Sequence, residues 1–256
     1  MTGDPRANCT AIFAAAALMA LACAAPAWAA PQTLRQGLFG RDGFESRELG
    51  APAVARYVSE DGDGFVVDRT QGGRVLLKFD NSPEVWALQA RPAPRGDVIY
   101  KNDLGEPVLR ATRLGGVTVF TNQRPGGAAA ALAGVSSPLR LQPLGPQALL
   151  ERLAQSSARA SHAARRLIPF NADASPASSA LIADAAAVAG EAVVRMARRS
   201  DAALLLARFR QVRLGEGRHA DVQLAGEALQ ITVAPAEGLA GRPSSERIVA
   251  AAERGR

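Results

Sequence analysis

The stretch FVVDRTQGGRVLLKFDNSPEVWALQAR, residues 65–91, decides the fold. Within it Val75, Leu77 and Phe79 occupy alternate positions, which places their side chains on one face of an extended strand. A glycine pair precedes this run and Asn81-Ser82-Pro83 follows it, and such residues favour tight chain reversals. The stretch therefore predicts antiparallel strands joined by short turns.

The same pattern recurs roughly every ten residues through residues 53–122. Because a sheet of about seven strands must cover its apolar face, residues 30–122 are predicted to form an antiparallel β-meander. The meander would close as a small barrel or fold as a sandwich. The predicted strands are Ala53–Ser59, Phe65–Thr70, Arg74–Asp80, Glu84–Arg91, Asp97–Asn102, Val108–Leu114 and Val117–Thr121.

Residues 123–146 interrupt this pattern. The segment opens with Arg124-Pro125-Gly126-Gly127, continues through alanines and ends in Pro143-Leu144-Gly145-Pro146. Because proline and glycine break regular structure, the segment is predicted to be a linker between two regions of the chain.

Two helices are predicted after this linker. The first runs from Pro146 to about Ile168, where Pro169 ends it, and the second runs from about Ala177 to Arg199. Apolar residues recur at helical spacing in both segments, so the two helices are predicted to pack as a helical hairpin. The stripes are Leu149, Leu153, Ala160, Ala164 and Leu167 in the first helix and Leu181, Ala185, Val188, Ala192 and Met196 in the second.

Short alternating runs return near the C-terminus, and Ser244 is predicted to cap a last helix that reaches Ala252. The fold class is therefore α+β, in which the antiparallel β-meander is followed by the helical hairpin and a short C-terminal β-hairpin. Residues 147–256 form the second region, and the sequence leaves open whether its strands join the first sheet in one domain. The late runs are Gln211–Leu214, Asp221–Leu224 and Ala228–Val233.

The N-terminus has the three parts of a secretory signal. A polar head precedes the apolar run Ala11–Ala25, and the small-residue site Ala27-Trp28-Ala29 follows. Cleavage is predicted after Ala29; a cut after Ala30 is less favoured, because it puts a tryptophan where a small side chain is needed. The apolar run spans roughly 22 Å as a helix, short of the roughly 30 Å bilayer core. Residues 1–29 are therefore predicted to be a removable signal peptide that sends the chain to the periplasm or outside the cell.

Both cysteines, Cys9 and Cys23, lie in this signal segment. The mature chain is therefore expected to form no disulfide and to use no thiolate as a nucleophile or metal ligand. The run Ala20-Leu21-Ala22-Cys23 loosely resembles a lipoprotein cleavage box, which leaves lipidation of Cys23 as an alternative.

Positive charge is concentrated in the predicted helices. The chain carries a formal net charge of +6, and residues 147–214 contain ten arginines against five acidic residues. Arginines outside the apolar stripe of the first helix would attract an anionic membrane or envelope polymer weakly. Nucleic acid is not expected as a partner, because the chain has no recognised nucleic-acid-binding motif. The residues proposed for anionic-surface binding are Arg152, Arg159, Arg165 and Arg166.

The sequence contains no local motif for catalysis, cofactor binding or metal binding. The segment Glu60-Asp61-Gly62-Asp63-Gly64 has oxygen ligands like those of a calcium loop. With Asp61 counted as position 1, however, position 12 is Gly72 instead of the glutamate that such a loop requires. The segment is predicted to be a charged turn. Of the two histidines, His162 is predicted to lie exposed on a helix and His219 at a hairpin. We therefore predict no catalytic residue, no metal ligand and no cofactor.

Four segments of the chain resemble a known family. They are PEVWAL at 83–88, RGDVIY at 95–100, GEPVLR at 105–110 and GLAGRPSS at 238–245. On these segments the chain resembles an uncharacterised family of exported alphaproteobacterial proteins, a domain of unknown function, over about residues 80–245. The resemblance implies export to a Gram-negative periplasm, and it supplies no activity and no functional residue.

The sequence favours a non-enzymatic structural or binding role in the periplasm, because it shows no catalytic constellation and an ordinary core pattern. Two alternatives stay open. One is an envelope hydrolase that uses carboxylates and His219, and the other is a peripheral protein bound to anionic envelope surfaces through the arginine-rich helix. The sequence does not specify a ligand, a partner or an oligomeric state.

Overall fold

A computed structural model of the chain describes residues 51–254. The predicted signal peptide, its cleavage at Ala29 or Ala30 and both cysteines lie outside these residues, so they stay predictions. Between residues 51 and 254, every helix is too short or too polar to cross a membrane.

The first eight strands form a closed antiparallel barrel. They are β1 (Val54–Ser59), β2 (Gly64–Asp68), β3 (Val75–Phe79), β4 (Val85–Pro92), β5 (Val98–Lys101), β6 (Pro107–Ala111), β7 (Val117–Val119) and β8 (Ala128–Val135). Each strand pairs with the next along the chain, and β1 pairs with β8 to close the barrel. The predicted antiparallel β-meander is confirmed, and of its two predicted forms it takes the barrel.

Side chains from alternate strand positions fill the barrel. Val75 and Leu77 of β3 are buried in this interior, as the alternation in the sequence predicts. Leu76 faces outward yet is fully buried, because Leu239 and neighbouring apolar side chains cover it. The barrel interior is therefore a packed core. Its largest buried members are Tyr57, Phe65, Leu77, Leu88, Tyr100 and Leu109.

The prediction that residues 123–146 form a linker was wrong in part, because strand β8 lies within this segment. Residues 128–135 read AAAALAGV, and alanine is a poor strand former, so the sequence did not indicate a strand there. Backbone pairing with β7 on one side and β1 on the other holds the run in the sheet. Without β8, both of those strands would expose unpaired backbone groups. Residues 123–127 and 136–145 of the predicted linker have neither helix nor strand.

Four α-helices and a 3-10 helix (Pro235–Gly241) follow the barrel in the described part of the chain. The α-helices are α1 (Pro146–Ala164), α2 (Ser179–Ala197), α3 (Ala202–Leu206) and α4 (Ser245–Arg254). Helices α1 and α2 pack against each other, as the predicted helical hairpin requires. The predicted stripe of α2 from Leu181 to Met196 is buried throughout, because this helix contacts α1, α4 and the second sheet.

Helix α1 ends at Ala164 instead of near Ile168. The next residue, Arg165, adopts the left-handed conformation with a φ of 53°, and the chain turns away from the helix axis. Leu167, which was assigned to the apolar stripe of this helix, therefore lies beyond the helix and is 76% exposed.

A second sheet lies among the helices. Its strands are β9 (Phe170–Ala172), β10 (Gln211–Glu216), β11 (Asp221–Ala225) and β12 (Ala228–Val233), in the order β11-β12-β10-β9. Strands β11 and β12 are antiparallel and confirm the predicted C-terminal β-hairpin. Strand β10 pairs in parallel with both β12 and β9. The late strands therefore build their own sheet and do not extend the barrel.

Candidate ligand-binding cleft

One end of the barrel carries a cleft of about 590 Å³, which we call the mouth cleft. Alternate turns of a meander lie at the same end of the sheet, and here they are the turns after β1, β3, β5 and β7. Helix α2 contributes Arg195 to the lining, and helix α4 contributes Glu246. The cleft therefore lies between the barrel and the helices. Its principal barrel residues are Asp63, Phe79, Trp86, Asn102, Glu106 and Phe120.

Phe79, Trp86 and Phe120 form the apolar part of the mouth cleft. All three side chains are half-buried. Phe79 and Trp86 pack on the barrel core, so the inward alternation of β3 and β4 continues into the cleft. The face of an aromatic ring carries partial negative charge, which suits it for contact with a cation.

Asn102 organises the polar part of the mouth cleft. This side chain is 4% exposed and follows the end of β5. Its Nδ2 group donates to Glu106 Oε2 over 3.1 Å and to Glu246 Oε2 over 2.8 Å. Its Oδ1 atom accepts hydrogen bonds from the backbone N–H groups of Leu104 and Glu106. Asn102 is therefore fully hydrogen-bonded, and it holds two carboxylates near each other.

The environment of Glu246 raises the pKa of its carboxyl group to about 7. Burial is the largest cause, and repulsion from Glu106 and Glu84 adds to it. Attraction to Arg195 and the hydrogen bond from Asn102 oppose the rise without cancelling it. Near neutral pH the carboxyl therefore exchanges a proton readily, as a proton-linked binding group or a general acid does.

Arg195 is the basic residue on the lining of the mouth cleft. Its guanidinium lies 3.8 Å from both Glu84 and Glu191 and 3.9 Å from Glu246. One arginine is thus shared among three carboxylates. With Asp63 and Glu106 also on the lining, acidic groups outnumber basic ones in the mouth cleft.

A buried ion network that includes Glu84 lies near Glu246. The Arg242 side chain is 2% exposed, and its Nε group donates to Asp184 while its Nη2 group donates to the carbonyl oxygen of Val85 over 2.9 Å. Glu84, which is 1% exposed, lies 3.9 Å from the same guanidinium. This network joins the start of β4 to helix α2.

The N-terminus of helix α4 is held by carboxylates of the barrel. Glu84 accepts hydrogen bonds from both the backbone N–H and the hydroxyl group of Ser245. Asp103 accepts the corresponding pair from Ser244. The Ser244 hydroxyl accepts a hydrogen bond from the backbone N–H of Arg247, which confirms the predicted helix cap. Carboxylates at a helix N-terminus are favourable, and here they place Glu246 at the mouth cleft.

Two of the four arginines proposed for anionic-surface binding have partners within the protein. Arg159 forms an ion pair with Glu191. The Arg166 guanidinium donates to the carbonyl oxygens of Leu206 and Phe209, and burial lowers its pKa.

Arg166 follows the end of helix α1 and is partly buried, and its proposed role in surface binding stays a prediction. Arg152 and Arg165 are exposed. The four side chains therefore do not form the common basic face that was predicted for an uninterrupted helix.

The two histidines lie outside the mouth cleft. His162 is exposed on α1, and the His219 side chain is 89% exposed with its Nδ1 atom 4.0 Å from Glu237. His219 and Glu237 both line a smaller pocket beside the mouth cleft, and the hydrolase alternative built on carboxylates and His219 stays a prediction. The acidic segment at residues 60–64 forms the turn after β1, where Asp61 accepts a hydrogen bond from Arg124. Residues 51–254 contain no cluster of three or more residues suited to hold a metal ion.

The polar residues of the cleft were not recognised from the sequence as a site. Three of the four segments that carry the family resemblance, at 83–88, 105–110 and 238–245, contain residues of the cleft or of the ion network near it, and they were the signal in the sequence for this site. The structure brings these segments together around Glu84, Glu106 and Arg242. Asn102 lies outside all three, and the sequence offered no sign that its side chain would be buried.

Glu246 makes the stability of the protein depend on pH. Its folded-state pKa of about 7 exceeds the ordinary 4.5, so the folded protein binds the proton more tightly than the unfolded chain. The free energy of unfolding should therefore fall as pH rises from 4.5 to about 7. In Glu246→Gln this loss is absent. Urea unfolding should show that the free energy of unfolding of the variant rises by about 2 kcal/mol relative to that of the wild type across this pH range.

The matched control for this measurement is Glu227→Gln. Glu227 pairs with Arg210 on the surface, where the two side chains are 71% and 74% exposed. Its variant should follow the wild-type pH curve. If Glu246→Gln also follows that curve, the proton is not held by Glu246.

Comparison with known proteins gives one match. The family model described as Domain of unknown function (DUF4908) matches residues 33–252. No curated protein and no solved structure matches the chain. The match spans the barrel, the second sheet and most of helix α4, so both regions described above fall within one family model.

Proposed function

We propose a non-enzymatic binding role for this chain, which belongs to the family described as Domain of unknown function (DUF4908). The binding site is the mouth cleft, and the ligand is a small organic cation with an amine group. The observation that carries this proposal is the position of three half-buried aromatic rings beside an excess of carboxylates in one cleft.

Each part of the mouth cleft contributes to binding a cation. An ammonium group over an aromatic face gains about 0.5–2 kcal/mol, and tryptophan is the most favourable ring. Glu106 and Glu246 repel each other, and a cation between them replaces repulsion with attraction. Binding should therefore release the proton that Glu246 holds below pH 7.

Export to the periplasm is the second part of the proposal. Its support is the polar head, apolar run and small-residue cleavage site in residues 1–29. Expression of the full chain in a Gram-negative host, cell fractionation and intact mass should give a soluble periplasmic species that begins at Ala30. A cytoplasmic species of full length would contradict export, and a species beginning at a lipidated Cys23 would contradict the cleavage site.

Fluorescence of Trp86 provides a direct binding assay. Trp28, the other of the chain's two tryptophans, lies in the predicted signal peptide, so the species that begins at Ala30 carries Trp86 as its reporter. Titration with n-butylamine at pH 8 should change this fluorescence in a saturable way, whereas n-butanol, its uncharged counterpart, should not. At pH 5.5 the affinity for the amine should be about tenfold lower, because Glu246 is then protonated.

Glu106→Gln tests the site without removing the reporter. This variant should bind butylamine about tenfold more weakly, and Glu227→Gln should bind it normally. Equal binding of butanol and butylamine would overturn the cationic ligand. Hydrolysis of aryl glycosides by the purified protein, lost in Glu246→Gln, would instead support the carboxylate pair as a catalytic acid and base and overturn the non-enzymatic role.

A further inference from the structure

A smaller pocket of about 170 Å³ adjoins the mouth cleft, and we call it the side pocket. Trp86 and Asn102 line both cavities, so the two share a wall. The titratable lining of the side pocket comes from five places in the fold: the residue before β3, the turn after β5, the turn after β10, the 3-10 segment at 235–241 and the region around the N-terminus of α4. These residues are Arg74, Asp103, His219, Glu237, Arg242 and Arg247.

Two arginines of the side pocket have hydrogen-bond donors without acceptors. The Arg74 guanidinium has no hydrogen bond or ion pair within residues 51–254. In Arg247 the Nε atom is buried and unpartnered in the same part of the chain, although Nη2 lies 3.3 Å from Asp221. A buried donor without an acceptor is costly, and two cationic donors at one pocket attract an anion.

Among the other charged groups of the pocket, Asp103 and Arg242 have hydrogen-bond partners, and Glu237 faces His219 with 4.0 Å between Oε1 and Nδ1. Asp103 accepts two hydrogen bonds from Ser244, and Arg242 is held by Asp184 and Val85. Asp103 and Arg242 therefore need no ligand. The lining of the side pocket carries three arginines (Arg74, Arg242 and Arg247) against two carboxylates, and this positive excess is opposite in sign to the excess charge of the mouth cleft.

We propose that the side pocket is an anion subsite, in which Arg74 and Arg247 bind the acidic group of the ligand whose amine lies in the mouth cleft. The ligand class is then a zwitterion with a carboxylate or phosphate at one end and an amine at the other. The link between the two ends rests on the proposed function, whereas the anion subsite rests on the unpartnered donors alone.

Calorimetry on the full chain tests this inference with defined probes. The probes are n-butylamine, butyrate, the ω-amino acids of three to eight carbons and the matching aminoalkyl phosphates. At least one zwitterion should bind at least tenfold more tightly than butylamine, because its acid gains charge-assisted hydrogen bonds. The length of the best probe reports the distance between the two subsites, and the better acid identifies the anionic group.

Arg74→Met and Arg247→Met should each remove most of the tenfold advantage of the zwitterion while leaving the affinity for butylamine unchanged. Arg74 has no partner within the described residues, so its replacement tests the subsite without breaking a contact of the fold. Arg213→Met is the matched control, because Arg213 is exposed on β10 and does not line the side pocket.

The possible results separate the two proposals. If every zwitterion binds no more tightly than butylamine, the anion subsite is wrong and the proposed function stands. If butyrate binds in a manner that requires Arg74 while butylamine does not bind, the anion subsite stands and the proposed function fails. Retention of the full zwitterion advantage in both arginine variants also overturns the subsite.

Discussion

Replacement of Arg242 by methionine is expected to lower the free energy of unfolding by about 3–5 kcal/mol. The side chain is 2% exposed and connects helix α2 to the start of β4. Its loss leaves the Asp184 carboxylate without its partner and removes the cation 3.9 Å from Glu84. Methionine fills much of the same volume, so the loss reports the unpaired charges rather than a cavity. Urea unfolding at pH 7 measures it.

Arg210→Met provides the comparison for this variant. Arg210 pairs with Glu227 at the surface, where solvent already screens both charges, so its loss should cost less than about 1 kcal/mol. Arg242→Lys keeps the charge but loses the planar guanidinium that reaches Asp184 and Val85 together. Its loss of unfolding free energy should lie between those of Arg242→Met and Arg210→Met. A change below about 1 kcal/mol in Arg242→Met would show that the network does not hold barrel and helices together.

Replacement of Gly241 by alanine is expected to destabilise the protein by about 3 kcal/mol. A Cβ atom at this position overlaps the backbone carbonyl oxygen of Ala234. That oxygen cannot withdraw easily, because the Ala234 N–H donates to the Gly241 carbonyl oxygen over 2.7 Å. Relief of the overlap must therefore move the backbone beside Arg242. Thermal unfolding and urea unfolding both measure the loss.

Gly72→Ala is the matched control for Gly241→Ala. A Cβ atom at Gly72 meets nothing within 4 Å, and this residue is exposed. Its variant should unfold within about 0.5 kcal/mol of the wild type. If Gly241→Ala is equally stable, the chain around residues 234–241 has room that the packing does not indicate.

The local pattern of the sequence was sufficient to predict most of the barrel strands. Alternation in residues 75–79 places one face of a strand in the core, and the neighbouring turn residues favour antiparallel reversals. These preferences act over a few residues, so they can be recognised without the rest of the chain. The same reason explains why the buried stripe of α2 was predicted in full.

The local pattern of the sequence did not predict that the barrel closes. The choice between a barrel and a sandwich depends on the pairing of β1 with β8, and β8 is mostly alanine. Alanine has little strand preference of its own, so backbone pairing with two neighbours decides its conformation. Strand β9 has three residues and likewise exists because β10 lies beside it.

The sequence by itself determined the α+β class, the antiparallel order of the first strands and the absence of any local catalytic motif. Only the tertiary structure decided the candidate site. Asn102 and Glu246 are 144 residues apart in the chain, yet one hydrogen bond joins them. The physical reason is range: hydrophobic alternation is set by near neighbours, whereas the pKa of Glu246 depends on burial and on charges that distant segments bring close.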